Sequence, residues 1–229
     1  MNDDSKVKIE AAIFDLDGTL LDTEAIFHKA SARPLEECGE SLTWDRQALF
    51  LGTPDQVWMK DVIAEKNLQE KLTVDDYLKK FYETVDNSYK DIKLLKGALN
   101  ILENFKKIGI PIGLATTTPR NKLDLKTKYH PELMKMLDVT VTGDEVKNGK
   151  PSPEIFLLAA ERLGKDPKKC VVFEDSPAGV QGAIDAGCYV VAIPDSRMKH
   201  ITLPFFKIAS EVIDDLDRFD FGKFTFEKN

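Results

Sequence analysis

Apolar residues in this chain fall into two alternating kinds of run. The short kind is continuous: residues 12–14 (Ala-Ile-Phe), 110–116, 139–142, 170–173 and 189–193. Such runs read as buried strands of a parallel sheet, apolar on both faces. The long kind is periodic. Val74, Tyr77, Leu78, Phe81 and Val85 lie at i, i+3, i+4, i+7 and i+11, one stripe of a helix. Thr73, with Asp76 three residues on, resembles a capping box with Asp in place of Glu. Ala98, Leu99, Leu102 and Phe105 predict a helix that stops near Gly109. Pro153, Ile155, Phe156, Ala159 and Leu163 predict another, ending near Gly164; Val180, Ala183 and Ile184 a third, ending near Gly187. From about Glu24 to Asp91 the pattern is helical and charged throughout, less regular over 43–66 around Val57, Trp58 and Val62.

Strands alternating with helices imply βαβ units. The chain is therefore expected to be α/β, a doubly wound parallel sheet of Rossmann-like form with an inserted all-helical domain. The expected boundaries are 1–22 and 92–229 for the core and 23–91 for the insertion. Asp22-Thr23-Glu24 would begin the linker or first inserted helix, where acids favour a helix N-terminus. Leu203-Pro204-Phe205-Phe206 would either complete the sheet edge or cover the core.

Composition narrows the class. The 229 residues, 42% hydrophobic, suffice for one sizeable core and a smaller satellite domain. Charged residues make up 31% and no apolar stretch approaches 18 residues, so no membrane span is expected. Residues 1–6 are polar and acidic, unlike a signal or transit peptide. Cys38, Cys170 and Cys188 lack metal-ligand or redox spacing, which fits a reducing compartment and makes the cytoplasm the expected location. A net charge of −7 argues against a nucleic acid polymer as partner, and an anionic substrate would need a local cluster of donors. No long apolar stripe is left over, so a monomer is expected.

Such donors sit where the strands end. Asp15-Leu16-Asp17-Gly18-Thr19 follows the first strand, Thr116-Thr117-Thr118 the second, Asn148-Gly149-Lys150-Pro151 the third after a loop, and Glu174-Asp175-Ser176 the fourth. In a doubly wound sheet these ends face one side. Each cluster also has an ordinary reading; Ser176 and Pro177, for instance, make a good helix start. Together they suit phosphoryl transfer. Asp15, Asp17 and Asp175 form an all-oxygen set for Mg²⁺, a hard cation that shares phosphate oxygens. Lys150, the Thr116 hydroxyl and the N–H groups that follow it, including that of Thr117, could hold the phosphoryl group. One carboxylate could attack to form an aspartyl-phosphate while the other moves protons.

In this order the motifs resemble the haloacid dehalogenase superfamily of phosphatases, over nearly the whole chain. The resemblance implies that Asp15 is the nucleophile and Asp17 the general acid/base. It implies that Thr116 binds phosphate and that Lys150 stabilises its charge. Metal would be held by Asp15, Asp175 and the Asp17 backbone carbonyl, with Glu174 beside it. The inserted helices would be the cap. Residues 125–130, 143–156 and 173–180 are most similar to the pseudouridine-5′-phosphatase branch, and partly to sugar-phosphate phosphatases and β-phosphoglucomutases. The implied substrate is a small phosphomonoester, a nucleoside or sugar monophosphate, with pseudouridine 5′-monophosphate favoured. Two alternatives stand beside hydrolysis: a β-phosphoglucomutase-like sugar-phosphate mutase, and a non-catalytic binding protein on the same scaffold. Against the mutase, Phe27 occupies the linker position where those enzymes carry His, and His28 would point elsewhere. The 51–56 loop offers Asp55 and no arginine. His130 and His200 read as structural or surface residues, and Trp44 and Trp58 as cap packing.

Overall fold

The structure, a computed structural model, describes residues 6–51 and 53–227. The polar lead of residues 1–5 and Gly52 of the 51–56 loop lie outside the described residues. In chain order the strands are β1 (Val7–Ile9), β2 (Ala11–Phe14), β3 (Ile112–Ala115), β4 (Val139–Val141), β5 (Cys170–Glu174), β6 (Tyr189–Ala192), β7 (Glu211–Val212) and β8 (Phe224–Phe226). Among the described residues a six-stranded sheet runs β4-β3-β2-β5-β6-β7 with every neighbour parallel. β1 and β8 form a small parallel pair of their own.

The continuous apolar runs form central strands because both faces of the sheet are covered. Phe14 and Phe173 point to one face, stacked at 4.5 Å, and Phe105 meets Phe14 edge-on at 6.1 Å. Phe105 comes from α5 (Ala98–Ile108), which ends at Gly109 in the left-handed region. Ile13 and Val172 point to the other face, where Ile155 and Phe156 of α8 (Glu154–Arg162) and Val180 of α9 (Pro177–Asp185) pack. Each ring or branched chain fully removed from water contributes about 1.5–3 kcal/mol.

Between β2 and α5 lie α1 (Thr23–Glu36), α2 (Trp44–Ala48), α3 (Asp55–Glu65) and α4 (Val74–Ser88). Asp22 caps α1 by accepting the Ala25 N–H, and Thr73 caps α4 by accepting that of Asp76. Tyr77 of α4 is fully buried and donates to the Ser31 carbonyl of α1 at 2.6 Å. Phe27 and Phe81 stack between the same two helices at 6.3 Å. The 43–66 region divides into α2 and α3, and Val57 faces solvent while Trp58, Met59, Val62 and Ile63 face inward. The chain leaves the sheet and returns to it side by side: Leu21 forms an antiparallel bridge with Leu94, and the Asp22 N–H donates to the Lys93 carbonyl at 2.8 Å.

The remaining helices are α6 (Arg120–Thr127), α7 (Pro131–Lys135) and α10 (Lys199–Thr202). After α10, residues 203–206 form a 3-10 turn that buries Phe206 and leaves Phe205 exposed. They cover the core; the sheet edge belongs to β7. Among the described residues no helix is long and apolar enough to cross a membrane.

Candidate active site

From β2 the chain moves outward through β3 and β4, then crosses back to β5 on the other flank of β2. β2 is thus the point where the strand order reverses, and its carboxyl end opens a crevice. Asp15 is the next residue, pinned as its N–H donates to the Phe173 carbonyl at 3.0 Å. Gly18 turns the chain away with φ +78°, and a Cβ there would lie 1.9 Å from Asp175 Oδ2. Both conditions require glycine. The strand has ended at Phe14, and Asp15 and Asp17 pair with different lysines, Lys150 and Lys126.

Lys150 is the centre on the Asp15 side. Its side chain is buried, and its ammonium donates to Asp15 Oδ1, to Glu174 Oε1 at 2.5 Å and to the Ala115 carbonyl at 3.1 Å. Glu174 is fully buried; its Oε2 accepts the Ser176 N–H at 2.9 Å and hydroxyl at 3.0 Å. A Cβ on Gly179 would fall 1.8 Å from Glu174 Oε1, so the start of α9 presses directly on this carboxylate. Burial raises the Asp15 carboxyl, and the charges of Glu174 and Asp17 add to it against the pull of Lys150. Asp175 is raised well above the carboxylate range by burial, then by Glu174, Asp15 and Glu24. Lys150 is held protonated by Asp15 and Glu174 despite its burial.

Asp17 faces a different set of partners. Thr118 donates its hydroxyl to Asp17 Oδ2 at 2.6 Å and Lys126 of α6 donates to Oδ1 at 2.6 Å. Lys126 also donates to Thr118 Oγ1 at 2.9 Å. Burial works against ionisation of Asp17, but Lys126 and Thr118 outweigh it and hold the carboxyl below its ordinary range. Asp15, Asp17, Thr117, Lys150 and Asp175 line one cavity of about 420 Å³. Glu24 and Leu51 line both this cavity and a second of about 390 Å³ walled by Phe27, Phe50, Trp58 and Phe81. Burial and the nearby Asp195 push Glu24 up to about 7, while Gln47 donates to it at 3.2 Å.

Residues 12–193 match the family model described as haloacid dehalogenase-like hydrolase. The chain belongs to that family. Its relatives include a phosphorylated carbohydrates phosphatase of Thermotoga maritima, 41% identical over 78% of this chain and 82% of that one. A probable pseudouridine-5′-phosphatase of Drosophila melanogaster is 34% identical over 83% of this chain and 84% of its own. Among solved structures, a putative β-phosphoglucomutase from Thermotoga maritima superposes with TM-score 0.72 and 33% identity, covering 91% of this chain and 96% of that one. The chain is a phosphomonoester hydrolase of the haloacid dehalogenase-like family.

Within this hydrolase the residues singled out in the sequence occupy two depths. Asp15, Asp17, Thr117, Lys150 and Asp175 reach the cavity wall. Thr116 is fully buried, where its hydroxyl accepts the Thr118 N–H at 3.1 Å, and Glu174 is fully buried behind Lys150. Among the described residues no group of three or more His, Cys, Asp or Glu side chains has the arrangement of a metal cage. His130 is tied to the Ile92 carbonyl at 2.9 Å and His200 pairs at the surface with Asp45. His28 meets Gln47 at 2.6 Å and stacks on Trp44, over which Arg197 lies at 4.5 Å. Trp58 packs on Phe50.

Three residues beside the site had no individual role in the sequence reading: Thr118, which stood only as a member of its threonine run, Lys126 and Glu24. Glu24 reads equally well as a helix-start acid, and it is that too. Lys126 had a usable signal. It stands three residues after Leu123 and one before Thr127, both buried, on the inward stripe of α6.

Proposed function

We propose that this hydrolase cleaves a small phosphomonoester by an Mg²⁺-dependent route through an aspartyl-phosphate on Asp15. The observation that carries the reading is Lys150. A buried ammonium bridging Asp15 and Glu174 at the cavity wall supports it, since a phosphate-binding cation would there stand beside the nucleophile. Such a buried charge cluster is costly as a purely structural device.

The donor set fits a hard dication. Asp15, Glu174 and Asp175 crowd around a single ammonium, and burial with mutual repulsion raises Asp15 and Asp175. Asp15, Asp175 and the Asp17 backbone carbonyl would hold the ion, leaving further positions to water and a phosphate oxygen, as Mg²⁺ prefers. When bound, the ion would neutralise phosphate charge. Glu174 would act from behind by fixing Lys150.

The remaining steps belong to the chain itself. An Asp15 carboxylate oxygen bonds to phosphorus as the ester P–O bond breaks, and Asp17 gives its proton to the departing oxygen. Water then attacks the aspartyl-phosphate, Asp17 takes the proton, and phosphate leaves with Asp15 restored. A phosphate dianion arriving beside Asp17 raises its carboxyl and so favours the proton-bearing form. Lys150 and the Thr117 N–H would hold the transferred oxygens; the Thr116 and Thr118 N–H groups donate to the Val141 carbonyl and the Thr116 hydroxyl, and so would support the turn.

We divide the chain into a core of 1–22 and 92–229 and a helical cap of 23–91, whose closure would exclude water. The second cavity, reached past Glu24 and Leu51, would take the leaving group. A nucleoside or sugar monophosphate fits this division, with pseudouridine 5′-monophosphate favoured by the relatives' names. Asp55 speaks against a mutase, since its carboxylate, held by Trp58 and Tyr82, faces the compartment where a second phosphate would sit. A panel of nucleoside and sugar monophosphates with Mg²⁺ should release phosphate, and EDTA should stop it. Isomerised sugar phosphate without free phosphate would select the mutase; no turnover of any ester would select a binding protein.

A further inference from the structure

α6 carries an anomaly. Its buried stripe is Leu123, Lys126 and Thr127, a lysine where an apolar residue would pack at lower cost. The Lys126 side chain is 9% exposed, and its ammonium is spent on Asp17 and Thr118 while lying 5.7 Å from the centre of the Phe27 ring of α1. A buried ion pair seldom outperforms well-packed apolar side chains as a source of stability. The Lys126–Asp17 contact therefore asks for a reason in the chemistry.

Its geometry supplies one. Asp17 stands two residues from Asp15, close enough for the two charges to interact. Lys126 and Thr118 take one carboxyl oxygen each, so neither is left to rotate back toward the Asp15–Lys150–Glu174 cluster. The carboxyl is fixed to Lys126 of α6, whose ammonium lies over Phe27 of α1, and Phe27 walls the second cavity, which Glu24 and Leu51 share with the first.

We propose that Lys126, assisted by Thr118, is a positioning residue that aims the Asp17 carboxyl at the leaving-group oxygen. This rests on the phosphatase reading above. Lys126 touches no reacting atom; it sets where the proton given by Asp17 is delivered as the ester P–O bond breaks. Its loss should fall hardest on substrates whose departing oxygen needs that proton. An alkoxide needs it; a nitrophenolate leaves without it.

The test measures kcat/KM of wild type, Lys126→Met, Lys126→Arg and Thr118→Val, with Mg²⁺, on p-nitrophenyl phosphate and on the best alkyl monophosphate of the panel. Lys126→Met should lose about 100-fold or more on the alkyl ester and less than about 5-fold on the aryl ester. Lys126→Arg should recover part of that difference. Thr118→Val, which leaves no charge unpaired, should show a smaller loss of the same selectivity, and it carries the comparison should Lys126→Met fold poorly. Equal losses on both esters, a change in KM alone, or an arginine no better than methionine would overturn the positioning role. A wild type that hydrolyses neither ester would instead overturn the phosphatase reading, and this inference with it.

Discussion

Asp15 and Asp17 stand two residues apart and each meets a buried lysine, yet their carboxyls are driven in opposite directions. Around Asp15 one ammonium serves two carboxylates, with Asp175 close by, and burial prevails: the carboxyl is raised. Around Asp17 the Lys126 ammonium is joined by the Thr118 hydroxyl, with no second carboxylate drawing on it, and the carboxyl is lowered. The type of partner is the same. What differs is how many anions share it, and that ratio decides whether burial or attraction wins. A crowded, underneutralised set suits a group that awaits a cation, while a fully clamped one suits a group that must point.

The largest effect should separate the two acids chemically. Asp15→Asn is expected to lower turnover by at least about 10⁴-fold with the fold intact by circular dichroism. Asp17→Asn should lose about 10²–10⁴-fold and accumulate phosphorylated protein, trapped by acid quench of labelled substrate. Near-normal turnover in Asp15→Asn would defeat the assignment of Asp15 as nucleophile. Next comes the lysine that serves two anions. Lys150→Met strands Asp15 and Glu174, both buried, and should cost about 3–5 kcal/mol in urea unfolding, with activity lost on alkyl and aryl esters alike. Lys126→Met strands only Asp17, which is 21% exposed, and should cost less. The opposite order would break the comparison.

The smallest effect is in thermal stability against pH, measured in EDTA. A raised acid binds its proton more tightly folded than unfolded, so Asp15 lowers stability as pH climbs from its ordinary range to about 7. A lowered acid does the reverse: Asp17 stabilises above the ordinary carboxylate range, and that support is lost as pH falls through and below it. Asp15→Asn should therefore melt a few °C higher than wild type at pH 8 and no higher at pH 4, at about 2–4 °C per kcal/mol. Asp17→Asn should melt lower at pH 8, with the gap closing in acid. Shifts of the same sign in both variants would show that the environments do not differ.

Legibility followed the same line. Lys150 stands in Asn148-Gly149-Lys150-Pro151 beyond a strand, so motif and sheet position both marked it. Lys126 sits in Leu125-Lys126-Thr127-Lys128, where one lysine is buried and the next exposed; only α6's phase relative to Leu123 tells them apart. The central strands were readable because both faces are apolar, as in Cys170-Val171-Val172-Phe173. β1, β7 and β8, of two or three residues each, were not read. The division of 43–66 into two helices was hidden by Val57, an apolar residue that faces water. That Asp15 meets Lys150 while Asp17 meets Lys126 depends on residues far apart in the chain, which no local pattern brings together.

The Leu21–Leu94 bridge has a consequence for how such a molecule diversifies. Everything between these residues closes a loop whose two ends are one strand spacing apart. Lengthening or replacing that loop changes the closure cost only logarithmically, about 0.6 kcal/mol per doubling. The pairing of Leu20 with Leu95 and Asp22 with Lys93 survives any such exchange, because it uses main-chain atoms alone. A different helical segment could be spliced in at this doorway without moving Asp15 or Lys150; under the proposed function, selectivity for the departing group would be redrawn while the phosphate chemistry is inherited unchanged.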